Sequence, residues 1–95
     1  MALYPFITFA DGLQVLHSDI YEEDGVEKMF IHFERPTVYG FDEGRIILPT
    51  YQWEYHRNFS DKEIEELETM VRQNAHIFYT YARLGGIESC LTYSS

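Results

Sequence analysis

A chain of 95 residues with 16 acids against 7 bases, a formal charge of −9 and 17% aromatic residues has room for one domain, since a second would be too small to bury its own core. An apolar fraction of 45% argues against a disordered tail, because disordered chains carry few aromatics and bury little. Two Lys and five scattered Arg disfavour nucleic acid and anionic membrane surfaces as partners, both of which require clustered basic residues.

The first element expected is a hairpin. Asp11-Gly12, flanked by apolar residues, favours a two-residue turn between strands at about 4–10 and 13–22, with Ala10 opposite Leu13. Asp24-Gly25 repeats the signal, setting Glu23 opposite Val26 and starting a strand at about 27–35. A connection through Tyr39-Gly40 then leads to a fourth strand at about 43–49, pairing Phe33 with Ile46 and Ile31 with Leu48. In this register one face collects Ile7, Phe9, Leu16, Ile20, Met29, Ile31 and Phe33, the expected core face. Pro36 lacks an N–H and belongs at a strand end or a bulge.

The segment Tyr51-Gln52-Trp53-Glu54-Tyr55 is expected to lie over the open edge of the core, with a stacking platform formed by Tyr51, Trp53, Tyr55, His56 and Arg57 as the alternative. A helix follows. Ser60 and Glu63 match a capping box and Phe59 with Ile64 a hydrophobic staple. Ile64, Leu67, Val71, Asn74, Phe78 and Tyr81 recur at steps of three or four. The helix is expected over about 61–84, closed by Gly85-Gly86, with acids in its first turns complementing the helix dipole. A short tail at 87–95 carries Cys90. The fold class expected is α+β: a four-stranded antiparallel β-meander with one long C-terminal helix packed on one face.

The second sheet face carries the candidates for function. It is expected to hold Tyr4, Phe6, Tyr21, Phe30 and Ile47, with His17 opposite His32, and Asp19 and Glu34 one step along their strands. Two facing imidazoles with carboxylate support are candidate ligands for a zinc-type ion. The competing reading is a set of ordinary cross-strand polar pairs, with Glu34 and Arg45 as a modest ion pair, and no cofactor is expected. Cys90 has no evident base beside it, and the glycines fall in turns and caps rather than in a phosphate loop. No catalytic residue is named. One cysteine cannot form an internal disulfide, and Met1-Ala2-Leu3-Tyr4-Pro5 contains neither a basic region nor a long apolar run. A cytoplasmic location is therefore expected.

Ile7-Thr8-Phe9-Ala10-Asp11-Gly12-Leu13, Ser18-Asp19-Ile20, Phe33-Glu34-Arg35-Pro36 and the helix end from Asn74-Ala75-His76 to Ala82-Arg83-Leu84-Gly85-Gly86 together resemble a loose group of small uncharacterised proteins of gut anaerobes. A fainter similarity, carried by the strand Met29-Phe30-Ile31-His32-Phe33, is to short bacterial proteins encoded beside toxin–antitoxin partners, which share a sheet-then-helix layout. Neither resemblance transfers a catalytic residue.

The functional expectation is a non-enzymatic interaction module, either a homo-oligomer (a dimer) or the binder of another protein. Its contact would be the second sheet face or an open strand edge, with Tyr4, Phe6, Tyr21, Phe30, Ile47 and Trp53 as interface candidates. Two alternatives stand beside it: a small metal- or ligand-binding enzyme using the His17/His32 face, and an acidic regulator of a basic partner such as a toxin.

Overall fold

Turn chemistry sets the frame. The computed structural model describes residues 2–86, so the tail at 87–95 with Cys90 lies outside the described residues. The elements are β1 (Leu3–Thr8), β2 (Gln14–Ser18), β3 (Tyr21–Glu23), β4 (Val26–Thr37), β5 (Gly40–Leu48), β6 (Gln52–Arg57) and α1 (Asp61–Arg83). They form an α+β fold: one antiparallel sheet in the order β1-β2-β4-β5-β6, with β3 also paired to β4, and a C-terminal helix. The sheet has six strands rather than four. The expected strand at 13–22 is split in two, and the segment expected as edge cover is itself a strand, β6, hydrogen-bonded to β5.

The second turn behaves as the sequence implies. Asp24 and Gly25 both take positive φ, at 53° and 78°, and Glu23 pairs with Val26 and Tyr21 with Lys28. The first turn is longer. Phe9 N–H donates to Leu13 O at 2.8 Å, Gly12 N–H to Phe9 O at 2.9 Å and Leu13 N–H to the Asp11 carboxylate at 3.0 Å. The last ladder pair is therefore Thr8 with Gln14, not Ala10 with Leu13, and a bulge between Pro5 and Ile7 shifts the register again to bring Tyr4 opposite His17.

Two further register differences have opposite consequences. The β4–β5 turn closes around Val38-Tyr39, so Ile31 pairs with Ile46 and Phe33 with Gly44. This shift of two residues preserves which side chains face the core. Between β2 and β4 the shift is one residue: Leu16 stands opposite His32 and His17 opposite Ile31, which turns β2 over. Ser18 accounts for the slip. Its hydroxyl accepts from the Phe30 N–H at 2.9 Å and donates to Asp19 O at 2.8 Å, taking a place in the ladder where the chain passes from β2 to β3.

The core lies between sheet and helix and comprises Leu13, Val15, Met29, Ile31, Phe33, Ile46 and Leu48 from the sheet side and Leu67, Val71, Phe78 and Ala82 from α1. Leu16, expected in this core, is half-buried on the other side. Phe6, expected on the outer face, packs its ring 4.4 Å from that of Phe78. Ile7 and Phe9 remain 43% and 41% exposed at the rim.

The helix begins as expected, with the reciprocal Ser60–Glu63 capping box in place. Its end is set by contact as well as by conformation. Gly86 N–H donates to Tyr81 O at 2.7 Å, and a Cβ on Gly86 would come within 2.9 Å of the Tyr4 ring. Among the described residues, no helix is long and apolar enough to cross a membrane.

Candidate functional site

The helix covers one sheet face, and the central β4–β5 hairpin carries the other. Along it, read outward from the middle of the sheet, the facing pairs are Phe30 with Ile47, His32 with Arg45, Glu34 with Glu43 and Pro36 with Phe41. Alternation along each strand puts all eight side chains on the outer side. The inner half of this strip is shielded by its own polar residues. The Arg45 guanidinium lies 4.0 Å from the centroid of the Phe30 ring and 5.8 Å from that of Tyr55. Phe30 and His32 are consequently buried without any helix over them.

His32 is the hinge of a polar cluster. Its Nε2 is 3.3 Å from Glu34 Oε1, and its Nδ1 is 3.5 Å from both an Arg45 nitrogen and the Tyr55 hydroxyl. Glu34 faces Glu43 directly across the ladder, and Glu43 is paired with Arg57. His32, Glu34 and Glu43 bring one ligand atom each to within 4.8 Å of one another. They are the residues here able to hold a metal.

The outer half of the strip is different in character. Pairing of β2 with β4 ends at Gln14–Glu34 and pairing of β6 with β5 ends at Arg57–Glu43. The pairs Arg35–Asp42, Pro36–Phe41 and Thr37–Gly40 therefore continue as a two-stranded arm. The Arg35 side chain donates to Asp42 at 2.9 Å and braces its base, and Thr37 Oγ1 accepts from Tyr39 N–H at 3.2 Å in its turn. Beyond the brace, Val38 is 91%, Tyr39 98% and Phe41 55% exposed.

The residues singled out by sequence are dispersed. Tyr4 and Phe6 lie on the helix side, where the Tyr4 ring is 5.4 Å from that of His17, and the Asp19 carboxylate bonds the Tyr4 hydroxyl and raises its pKa. His17 is fully buried there, so the His17–His32 pair does not exist: a one-residue slip has put the two imidazoles on opposite faces, and Asp19 does not join His32 and Glu34. The expected Glu34–Arg45 pair is likewise replaced by Glu34–Glu43. Tyr21 and Ile47 are on the outer face, lining a polar pocket of about 390 Å³ with Lys28, Gln52 and Glu54. Trp53 sits on the helix side, its ring 5.7 Å from that of Phe33 and its indole N–H donating to Glu68 at 3.2 Å.

Glu43, Val38, Tyr39 and Phe41 were not among the sequence candidates. A signal for the last three was present: residues 36–41 form an uncharged run bounded by Arg35 and Asp42. On the helix side, Phe9, Leu13, Leu67 and Met70 line an apolar groove of about 420 Å³. Comparison with family models, with curated proteins and with solved structures returns no match to the chain.

Proposed function

We propose that the protein is a non-enzymatic interaction module that self-associates through the β4–β5 arm. The observation that carries this reading is the near-complete exposure of Val38 and Tyr39, at 91% and 98%, on a braced projection rather than on a loose tail. Burying a large apolar side chain is worth roughly 1.5–3 kcal/mol, and a single chain leaves this gain unrealised at three neighbouring positions. The backbone edge of the arm adds little, because Pro36 has no N–H to donate and the Phe41 carbonyl accepts from the Asn58 side-chain amide at 3.2 Å, so the contact is carried by the exposed side chains.

The distribution of charge leaves one approach open to a second copy. At a formal charge of −9, two copies repel wherever their acidic surfaces meet. The run from Pro36 to Phe41 is uncharged, so arm-to-arm contact is the approach that avoids this repulsion, and a two-fold axis through it would make the contact self-complementary. Three apolar side chains from each copy supply a gross gain comparable with the ~4–15 kcal/mol cost of association, which fits a reversible dimer rather than an obligate one.

Sedimentation velocity on the full chain tests this. The expected result is a concentration-dependent dimer that a Tyr39→Ser, Phe41→Ser double substitution converts to monomer, with a melting temperature equal to that of the wild type at dilutions where it is monomeric, since both side chains lie outside the core. A wild-type chain that stays monomeric at every concentration, or a double variant that dimerises as the wild type does, contradicts the reading.

A further inference from the structure

We propose that His32, Glu34 and Glu43 form a binding site for a divalent ion of the zinc type on the outer face of the β4–β5 hairpin. This site is independent of the arm's self-association and lies nearer the middle of the sheet, one facing pair inward from the Arg35–Asp42 brace.

Three features of the cluster support an ion over a simple ion-pair network. The first is distance. His32 Nε2 stands 3.3 Å from Glu34 Oε1, longer than the ~2.7–2.9 Å of a charge-assisted hydrogen bond. Two ligands on a tetrahedral ion with bonds of about 2.0–2.1 Å are separated by roughly 3.3–3.4 Å. The second is charge: Glu34 and Glu43 are direct cross-strand partners, a placement of like charges that destabilises a sheet and that the exposed Arg57 on Glu43 offsets only weakly. The third is preorganisation, because His32 is only 4% exposed, with its ring edge to face against Tyr55 at 6.5 Å between centroids.

The donor set selects the class of ion. One imidazole and two carboxylates suit zinc and its neighbours in the transition series better than magnesium or calcium, which take oxygen ligands throughout. Binding through Nε2 places the remaining ring proton on Nδ1, where the Tyr55 oxygen at 3.5 Å accepts it, the outer-shell arrangement usual for a ligating histidine. Arg45 offers only donors on that side, so its guanidinium turns toward Glu54, which is 4.0 Å away. Arg57 releases Glu43 at little cost, its side chain being 65% exposed and such surface pairs weak. Three protein ligands leave a fourth position for water.

Isothermal titration of the metal-free full chain with Zn²⁺ at neutral pH tests the site. The expected result is saturable binding of one ion per chain, weakened roughly tenfold or more by Glu43→Gln and by His32→Gln, and unchanged by His76→Gln on the exposed side of the helix. Zn²⁺ should also raise the melting temperature of the wild type and not that of Glu43→Gln. Because His32 is buried, Glu34→Gln provides a further ligand variant that leaves the ring in place. Absence of saturable binding, or binding that Glu34→Gln and Glu43→Gln leave unchanged, overturns the proposal.

Discussion

Arg35 donates from Nη2 to Glu63 Oε2 at 2.9 Å, fastening the third residue of the helix to the central strand. The same guanidinium reaches Asp11 in the first turn at 2.9 Å and Asp42 on β5 at 2.9 Å, and lies 5.3 Å from the centre of the Phe59 ring. Four separate pieces of chain thus meet on one cation, which is why the capping box, the first turn and the base of the arm hold a fixed relation to one another.

Replacing Arg35 by Met keeps much of the stem and removes the charge, leaving Asp11, Asp42 and Glu63 without their shared cation. Stability should fall by about 2 kcal/mol, the pairs being partly exposed, measured as a shift in the urea midpoint. An unchanged midpoint would contradict the role given to Arg35.

The same cluster has a pH signature. Asp11 is held below the ordinary carboxylate range chiefly by the Leu13 N–H and then by Arg35. Glu63 is held low chiefly by the Ser60 N–H and then by Arg35. Folded pKa values below unfolded ones contribute stability that is fully present above the unfolded values and is lost as pH falls through about 4. In Arg35→Met this acid-side loss should shrink but persist, because the backbone donors remain; an unchanged slope would assign the whole effect to those donors.

His17 acts in a different window. Its Nδ1 lies 3.0 Å from the Ser18 carbonyl, which can only accept, so Nδ1 carries the proton and Nε2 is left buried without a partner. Burial pushes the His17 pKa down, outweighing the Ser18 carbonyl and Asp19, which act upward. The unfolded chain then binds the proton more readily, so stability is full above about pH 6.5 and falls as pH drops below it. His17→Asn, which can retain a donor toward Ser18, should flatten the stability profile just below about pH 6.5. A profile in that window identical to the wild type would show that another group titrates there.

Much of this architecture was legible in residues with strong local chemistry. Ser60, Glu63 and Gly85-Gly86 marked the helix, Asp24-Gly25 marked a turn, and alternation in Met29-Ile31-Phe33 marked the core face of β4. What escaped was decided by single residues acting across strands. The Ser18 hydroxyl replaces a ladder bond and turns β2 over, separating His17 from His32, and no periodicity signals that. β6 depends on Gly44 of the neighbouring strand: Phe33 pairs with it, and a Cβ there would stand 3.1 Å from Trp53 and 3.2 Å from His56. The glycine makes room for Trp53 to close over the core. Of the metal candidates, His32 and Glu34 were found by sequence, and Glu43 was missed because the β4–β5 turn closes two residues away from the expected position.

Ser18 itself gives a sharp test of the register. Ser18→Ala leaves the buried Phe30 N–H without its acceptor, at a cost of about 1–3 kcal/mol. The loss should appear in chemical denaturation together with faster exchange of the Phe30 amide. A neutral substitution with the amide still protected would mean that the hydroxyl is not what holds the slip in place.

Hydrogen–deuterium exchange at low and high protein concentration, read peptide by peptide, tests the self-association reading most directly. Arm-to-arm pairing predicts that exchange across residues 35–42 slows as concentration rises while the peptides of α1 do not change. Exchange in the arm that is independent of concentration, or protection that appears instead at β1 or β6, would contradict it.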